Sequence, residues 1–138
     1  MTLAVMGTFN TDCVVQNHVN RKRQATVSKI LVDPGSEYTW ISAAILDGIG
    51  VTREKKDLAF VMANGQQVTR TVGFAVLRVG EHFTIDEVVF AEQGDLLLLG
   101  ARTLEGLNLI VDTQRKKLVA AGPIPAAAVI TTSSEAPS

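Results

Sequence analysis

Short apolar-rich stretches recur along most of the chain, and turn-forming residues interrupt them every ten residues or so. The punctuation falls at Asn17 to Asn20, Pro34-Gly35, Gly48 to Gly50, Asn64-Gly65, Gly80-Glu81, Gln93-Gly94 and Gln114-Arg115. Segments rich in Val, Ile, Leu, Thr and Phe lie between them, which predicts a mainly β domain, a sandwich or closed barrel of short strands. Asn64-Gly65 stands between Phe60-Val61-Met62 and Val68-Thr69. Asn-Gly is the strongest short hairpin signal because both residues tolerate positive φ, so a projecting β-hairpin is predicted here.

Two segments break the period of two. Ser42 to Leu46, followed by Gly48 and Gly50, reads as a short helix with Ser42 as N-cap and a glycine stop. Gly100 to Leu107 also reads helical, because Leu104 and Leu107 share one face, and Gly106 is placed at its end. From Ala121 the chain turns to Gly, Pro, Ala, Ser and Thr, which offer little to pack. This places a domain over residues 1–120 and a flexible tail over 121–138.

Composition narrows the function classes. Thirteen basic and fourteen acidic side chains leave a net charge of -1, which argues against a nucleic-acid backbone or an anionic membrane surface as partner. Arg21-Lys22-Arg23 and Arg115-Lys116-Lys117 are brief clusters that read as solvated hairpin ends. Cys13 is the single cysteine, so no internal disulfide can form, and a buried thiol is expected. His18 and His82 fall in separate turns and read as surface residues, so no metal site is expected. With no signal-like start and no run of about 18 apolar residues, the expected location is cytoplasmic.

Chemistry concentrates at Lys29-Ile30-Leu31-Val32-Asp33-Pro34-Gly35-Ser36, an apolar strand running into an acidic residue on a Pro-Gly turn. A second apolar strand, Leu96-Leu97-Leu98-Leu99, closes on Gly100 and leads into the second helix. Two buried strands are thus expected to flank one carboxylate. On its own an Asp-x-Gly-Ser string is an ordinary turn in which the Asp caps its own backbone.

Turn, hairpin and apolar-Gly segment, in this order, resemble the single-lobed, retroviral-type aspartic proteases (retropepsins), especially their small bacterial relatives. The likeness runs from Gly7 to Ala120. It sets Asp33-Pro34-Gly35-Ser36 on the family's Asp-Thr-Gly-Ala/Ser turn. The hairpin Met62, Ala63, Asn64, Gly65 and Gln66 falls on its flap, and Leu98, Leu99, Gly100 and Arg102 on its apolar-Gly segment and following helix. The resemblance implies a retropepsin-like fold, a homodimer, an endopeptidase acting on peptide or protein substrates, and no cofactor. Catalysis of this kind uses two close carboxylates, one charged to deprotonate water and one protonated to polarise the scissile carbonyl. A two-fold dimer makes that pair from Asp33 alone. A 138-residue chain is too short for a two-lobed enzyme, and Asp112-Thr113-Gln114 lacks the glycine of a second motif.

Further roles follow from the likeness. Ser36 is expected to hydrogen-bond the outer oxygen of Asp33, which favours the charged carboxylate. An arginine near Arg102 holds the retroviral dimer through an ion pair. Trp40 reads as core, with the wall of the cleft as its other possible place. Pro34 departs from the family's Thr or Ser, whose hydroxyl bonds across the dimer axis, and proline lacks both that hydroxyl and a backbone donor. This leaves a second reading, a protease-like fold that binds peptides or dimerises without cleaving them. A third, a small β-barrel holding an apolar ligand, accounts for the composition but not for the spacing.

Overall fold

The computed structural model describes residues 9–126. Its strands are β1 (Phe9–Gln16), β2 (Gln24–Val32), β3 (Thr39–Ser42), β4 (Lys55–Val61), β5 (Gln67–Val79), β6 (His82–Ala91), β7 (Leu98–Leu99), β8 (Leu109–Asp112) and β9 (Lys117–Ala120). Two short helices, α1 (Ala43–Gly48) and α2 (Ala101–Leu107), follow β3 and β7. The mainly β expectation holds. Seven strands form one sheet in the order β1-β2-β7-β3-β6-β5-β4, and a further pairing of β1 with β5 brings the sheet back onto itself. The last two strands make a separate hairpin.

The central strands bury both faces, one on each of two apolar clusters. In β5 and β6 the buried residues Val72, Ala75, Val76, Leu77, Val88, Val89 and Phe90 meet across an antiparallel ladder running from Val72↔Val89 to Val79↔His82. The main core gathers Val15, Val32, Ile41, Leu46, Leu77, Phe90 and Leu99, all at most 1 % exposed. Cys13 lies in it, as expected of the lone thiol, and burial pushes that thiol up to about 12. A smaller cluster of Trp40, Val72, Val89, Ala91 and Leu98 underlies the β4–β5 hairpin.

The turns fall where the punctuation placed them, and side chains secure several. Asn17 accepts from the Val19 and Asn20 amides and donates to the Ile49 and Gly50 carbonyls, tying the first hairpin to the end of α1. The β4–β5 turn differs from the expected two-residue Asn-Gly form. Only Gly65 takes positive φ (86°), the Met62 amide bonds to the Gln66 carbonyl, and Asn64 Oδ1 accepts from the Gln66 amide. The Asn therefore works through its side chain rather than a left-handed backbone.

Three expectations need correction. Ser42 holds the N-cap position of α1 but makes no side-chain cap bond. Helix α2 runs through Gly106 and stops at Asn108, whose φ of 56° supplies the left-handed cap. Asn tolerates that conformation, so no glycine is needed at the end. The apolar run of four leucines is not one buried strand, since only Leu98 and Leu99 are extended and buried while Leu96 is 68 % exposed. Hydrophobicity alone could not separate residues that face the core from residues that face a cleft.

His18 and His82 are exposed. Among the described residues no helix is long and apolar enough to cross a membrane, and no group of three His, Cys, Asp or Glu could hold a metal ion. Of the tail placed over 121–138, the part beyond residue 126 lies outside the described residues, as do residues 1–8.

Candidate active site

Strand β2 pairs in parallel with β7, Leu31 beside Leu98 and Val32 beside Leu99. The pairing carries one residue past β2, because the Asp33 amide donates to the Leu99 carbonyl at 2.9 Å. Asp33 thus leaves the sheet at the end of β2, held beside the buried Leu98 and Leu99 of β7. Its own turn follows: the Ser36 amide donates to the Asp33 carbonyl (3.1 Å) and the Gly35 amide to Asp33 Oδ1 (3.0 Å). Ser36 was expected to make the bond to the carboxylate, but its hydroxyl donates to the Tyr38 carbonyl (3.2 Å). The backbone amide of Gly35 takes over that role.

The far side of the turn is sewn to α2. The Ala101 amide donates to the Ser36 carbonyl (2.7 Å) and the Arg102 amide to the Glu37 carbonyl (3.2 Å). Gly100 is required by this approach, since a Cβ there would overlap the Tyr38 carbonyl oxygen and lie 2.8 Å from the Glu37 oxygen. Beneath it runs a buried chain of hydroxyls. The Gly100 amide donates to Thr39 Oγ1, Thr39 bonds to Thr103 Oγ1, and Thr103 donates to Asp86 Oδ2. Because Thr103 spends its proton on Asp86, Thr39 is the donor between the two hydroxyls. Both threonines are fully buried. Nothing in the sequence pattern marked this chain, since Thr39 and Thr103 read as ordinary β and helix residues.

A cleft of about 400 Å³ opens over Asp33. Gly35, Ser36 and Glu37 line it beside the carboxylate; Tyr38, Trp40, Phe60, Leu96 and Leu98 form its apolar walls; and Val61, Met62 and Ala63 of the hairpin overhang it. Phe60 packs edge-on against Tyr38 (5.3 Å between ring centres) and Trp40 (5.2 Å), joining the hairpin to the segment after the turn. Trp40 therefore belongs both to core and to cleft. Val61 is 73 % exposed, and with Leu96 it presents apolar surface to the cleft. Asn64, Gly65 and Gln66, which the sequence also placed in the site, form the hairpin tip and do not line the cleft.

Two ion-pair clusters brace the surroundings. Glu87 is largely buried and meets Lys55 of β4 (2.6 Å) and Arg102 of α2 (3.2 Å), while the Arg102 guanidinium lies 4.9 Å from the Tyr38 ring centre. Within the described chain Arg102 is thus engaged by Glu87. Beside Leu96 in the chain, Asp95 is gripped by Arg70 with two bonds of 2.7 and 2.9 Å. This grip holds the Asp95 carboxyl below the usual carboxylate range.

Residues 15–106, well over half of the chain, match the gag-polyprotein putative aspartyl protease family. The chain belongs to that family. The match takes in Asp33, the hairpin and the Leu98-Leu99-Gly100 segment, the three elements on which the likeness to retropepsins was drawn. None of the curated proteins matches the chain. The aspartyl protease fold accounts for the parallel β2–β7 pairing as the device that carries a carboxylate out of a hydrophobic sheet to the floor of a cleft.

Proposed function

We propose that the protein is an aspartic endopeptidase that works as a homodimer, each chain contributing Asp33 to one shared site. The observation that carries this reading is the single cleft in which the Asp33 carboxylate, apolar walls and the overhanging hairpin residues Val61 to Ala63 meet. One chain supplies one carboxylate on such a turn, and general acid–base attack by water on a peptide carbonyl takes two. A two-fold axis beside the turn brings two copies of Asp33 together, and carboxylates about 3 Å apart keep one proton between them. The charged member takes a proton from water. The protonated member donates to the carbonyl oxygen, which becomes the gem-diol oxygen of the tetrahedral intermediate, and proton return to the amide nitrogen releases the two peptides.

In this reading Pro34, Gly35 and Ser36 shape the turn, with the Gly35 amide steadying Asp33. Leu98, Leu99 and Gly100 hold it from below, and Arg102 braces the Tyr38 side of the cleft. The hairpin from Met62 to Gln66 acts as a flap that closes on an extended peptide and excludes water. No metal or organic cofactor takes part.

Pro34 favours a second reading, a non-cleaving module that binds peptides in the same cleft, because proline at this position has no hydroxyl to bridge the two subunits. Cleavage of a mixed peptide library between mildly acid and neutral pH separates the two. The protease cleaves, and Asp33→Asn abolishes the cleavage; activity that survives the substitution ends the proposal. A dimer that binds a peptide with a statine-type hydroxyl in place of the scissile bond, yet turns nothing over, supports the module.

A further inference from the structure

The Arg70–Asp95 pair joins two segments, distant in sequence, whose neighbouring residues line the cleft. Arg70 lies on β5 opposite Leu58 of β4, a few residues beyond the hairpin turn. Asp95 ends the β6–β7 turn and immediately precedes Leu96, the exposed apolar residue of the cleft wall. Both side chains are largely withdrawn from water, at 14 % and 10 % exposure, in contrast to the exposed Arg53–Asp47 pair at 40 % and 52 %.

The grip is two-pronged. Arg70 Nε and one terminal nitrogen take the two Asp95 oxygens, and the other terminal nitrogen donates to the Thr69 carbonyl (2.8 Å) and stands 3.6 Å from Glu92. Asp95 Oδ2 also accepts from the Glu92 amide (2.8 Å), while the Asp95 amide donates to the Glu92 carbonyl (2.9 Å). The turn before Leu96 is thereby closed on itself and bolted to the hairpin. A planar fork on a carboxylate fixes orientation as well as distance.

We infer that Arg70 and Asp95 are positioning residues, a latch that makes the hairpin and the Leu96 wall move as one body and so sets the width of the cleft beside Asp33. The inference rests on the endopeptidase reading for its catalytic consequence, but not for its mechanical one. A hairpin bolted to the wall carries Leu96 with it when it closes, so a substrate side chain seated on Leu96 meets a pocket of fixed size. With the latch open, hairpin and wall adjust separately and the pocket accepts a wider range of side chains.

Amide hydrogen exchange on the full chain tests the mechanical claim. Asp95→Asn keeps the shape and removes the charge, and the account expects exchange to rise about tenfold, or by more, in both Leu96 to Leu98 and the hairpin strands from Leu58 to Arg70, with the β1–β2 amides unchanged. Arg70→Lys keeps the charge without the fork and carries the same measurement should the first variant fail to fold. Arg53→Gln, at the exposed pair, leaves the hairpin amides as they are. A rise confined to the residues around Leu96, or spread evenly over the molecule, overturns the latch. Kinetics test the consequence: Asp95→Asn raises KM about tenfold with kcat nearly unchanged and broadens the residues accepted at one substrate position. An unchanged KM and cleavage pattern overturn that consequence. A wild-type protein that cleaves nothing contradicts the endopeptidase reading instead, and the exchange result still decides the latch.

Discussion

The amide of Asp33 donates to the carbonyl of Leu99 across 2.9 Å, one step beyond the last paired residue of β2. That bond holds the acidic turn to a strand that arrives more than sixty residues later in the chain, and Gly100 directly follows it. The carboxylate is therefore positioned by the β7–α2 junction as much as by its own strand.

Gly100→Ala tests the junction. The added methyl would press on the backbone at Tyr38 and Glu37, which cannot rotate away. A loss of about 2–3 kcal/mol is expected, as for overpacked cores, read as a lower urea midpoint at an unchanged slope. Activity should fall further than stability, because the displaced backbone is the one that leads into the Asp33 turn.

Thr39→Val removes a hydroxyl that both accepts from Gly100 and donates to Thr103. The isosteric methyl leaves a buried amide without a partner, at a cost of about 1–3 kcal/mol. Thr39→Ser keeps the hydroxyl and should lose less than Thr39→Val, so the comparison in thermal unfolding isolates the hydrogen bonds from the packing.

Pro34→Thr restores the side chain that bridges the two turns in retropepsins. A neutral hydrogen bond is worth roughly 1 kcal/mol and symmetry makes it twice, so the proposed homodimer should tighten by on the order of thirtyfold. Sedimentation equilibrium across a range of concentrations checks this, and kcat/KM should rise with it. An unaltered dimer constant would show that the two turns do not meet.

Burial pushes the Cys13 thiol up to about 12. The native thiol should resist alkylation at pH 8 and react only as the chain unfolds. The sign of the linkage follows: the folded state holds the proton more tightly, so this contribution is complete below the ordinary thiol value near 9 and is lost as pH rises toward 12. Unfolding midpoints of wild type and Cys13→Ala, followed from neutral to alkaline pH, should show the wild type losing more stability over that window.

The strands, turns and both helices were legible because burial imposes a period of two or a glycine-bounded apolar run on the sequence. Asp33 was legible because it ends such a run on a turn. What the sequence concealed was direction. Leu96 and Leu98 are the same residue type two positions apart, yet one stands in the cleft mouth at 68 % exposure and the other lies buried. The Thr39–Thr103 and Arg70–Asp95 contacts were concealed for another reason, since each joins residues 25 to 64 positions apart through a sheet order that local pattern does not specify. The likeness to retropepsins points Ser36 at the carboxylate, whereas turn geometry gives that bond to a backbone amide.

Subunit mixing tests the central claim most directly. Wild-type protein is assayed alone and then after equilibration with an equal amount of Asp33→Asn. If catalysis needs a carboxylate from each of two chains, mixed dimers are inactive and the random pairing of subunits halves the total activity. Activity that stays unchanged on adding the variant would mean that one chain suffices, and the paired-carboxylate account would be wrong.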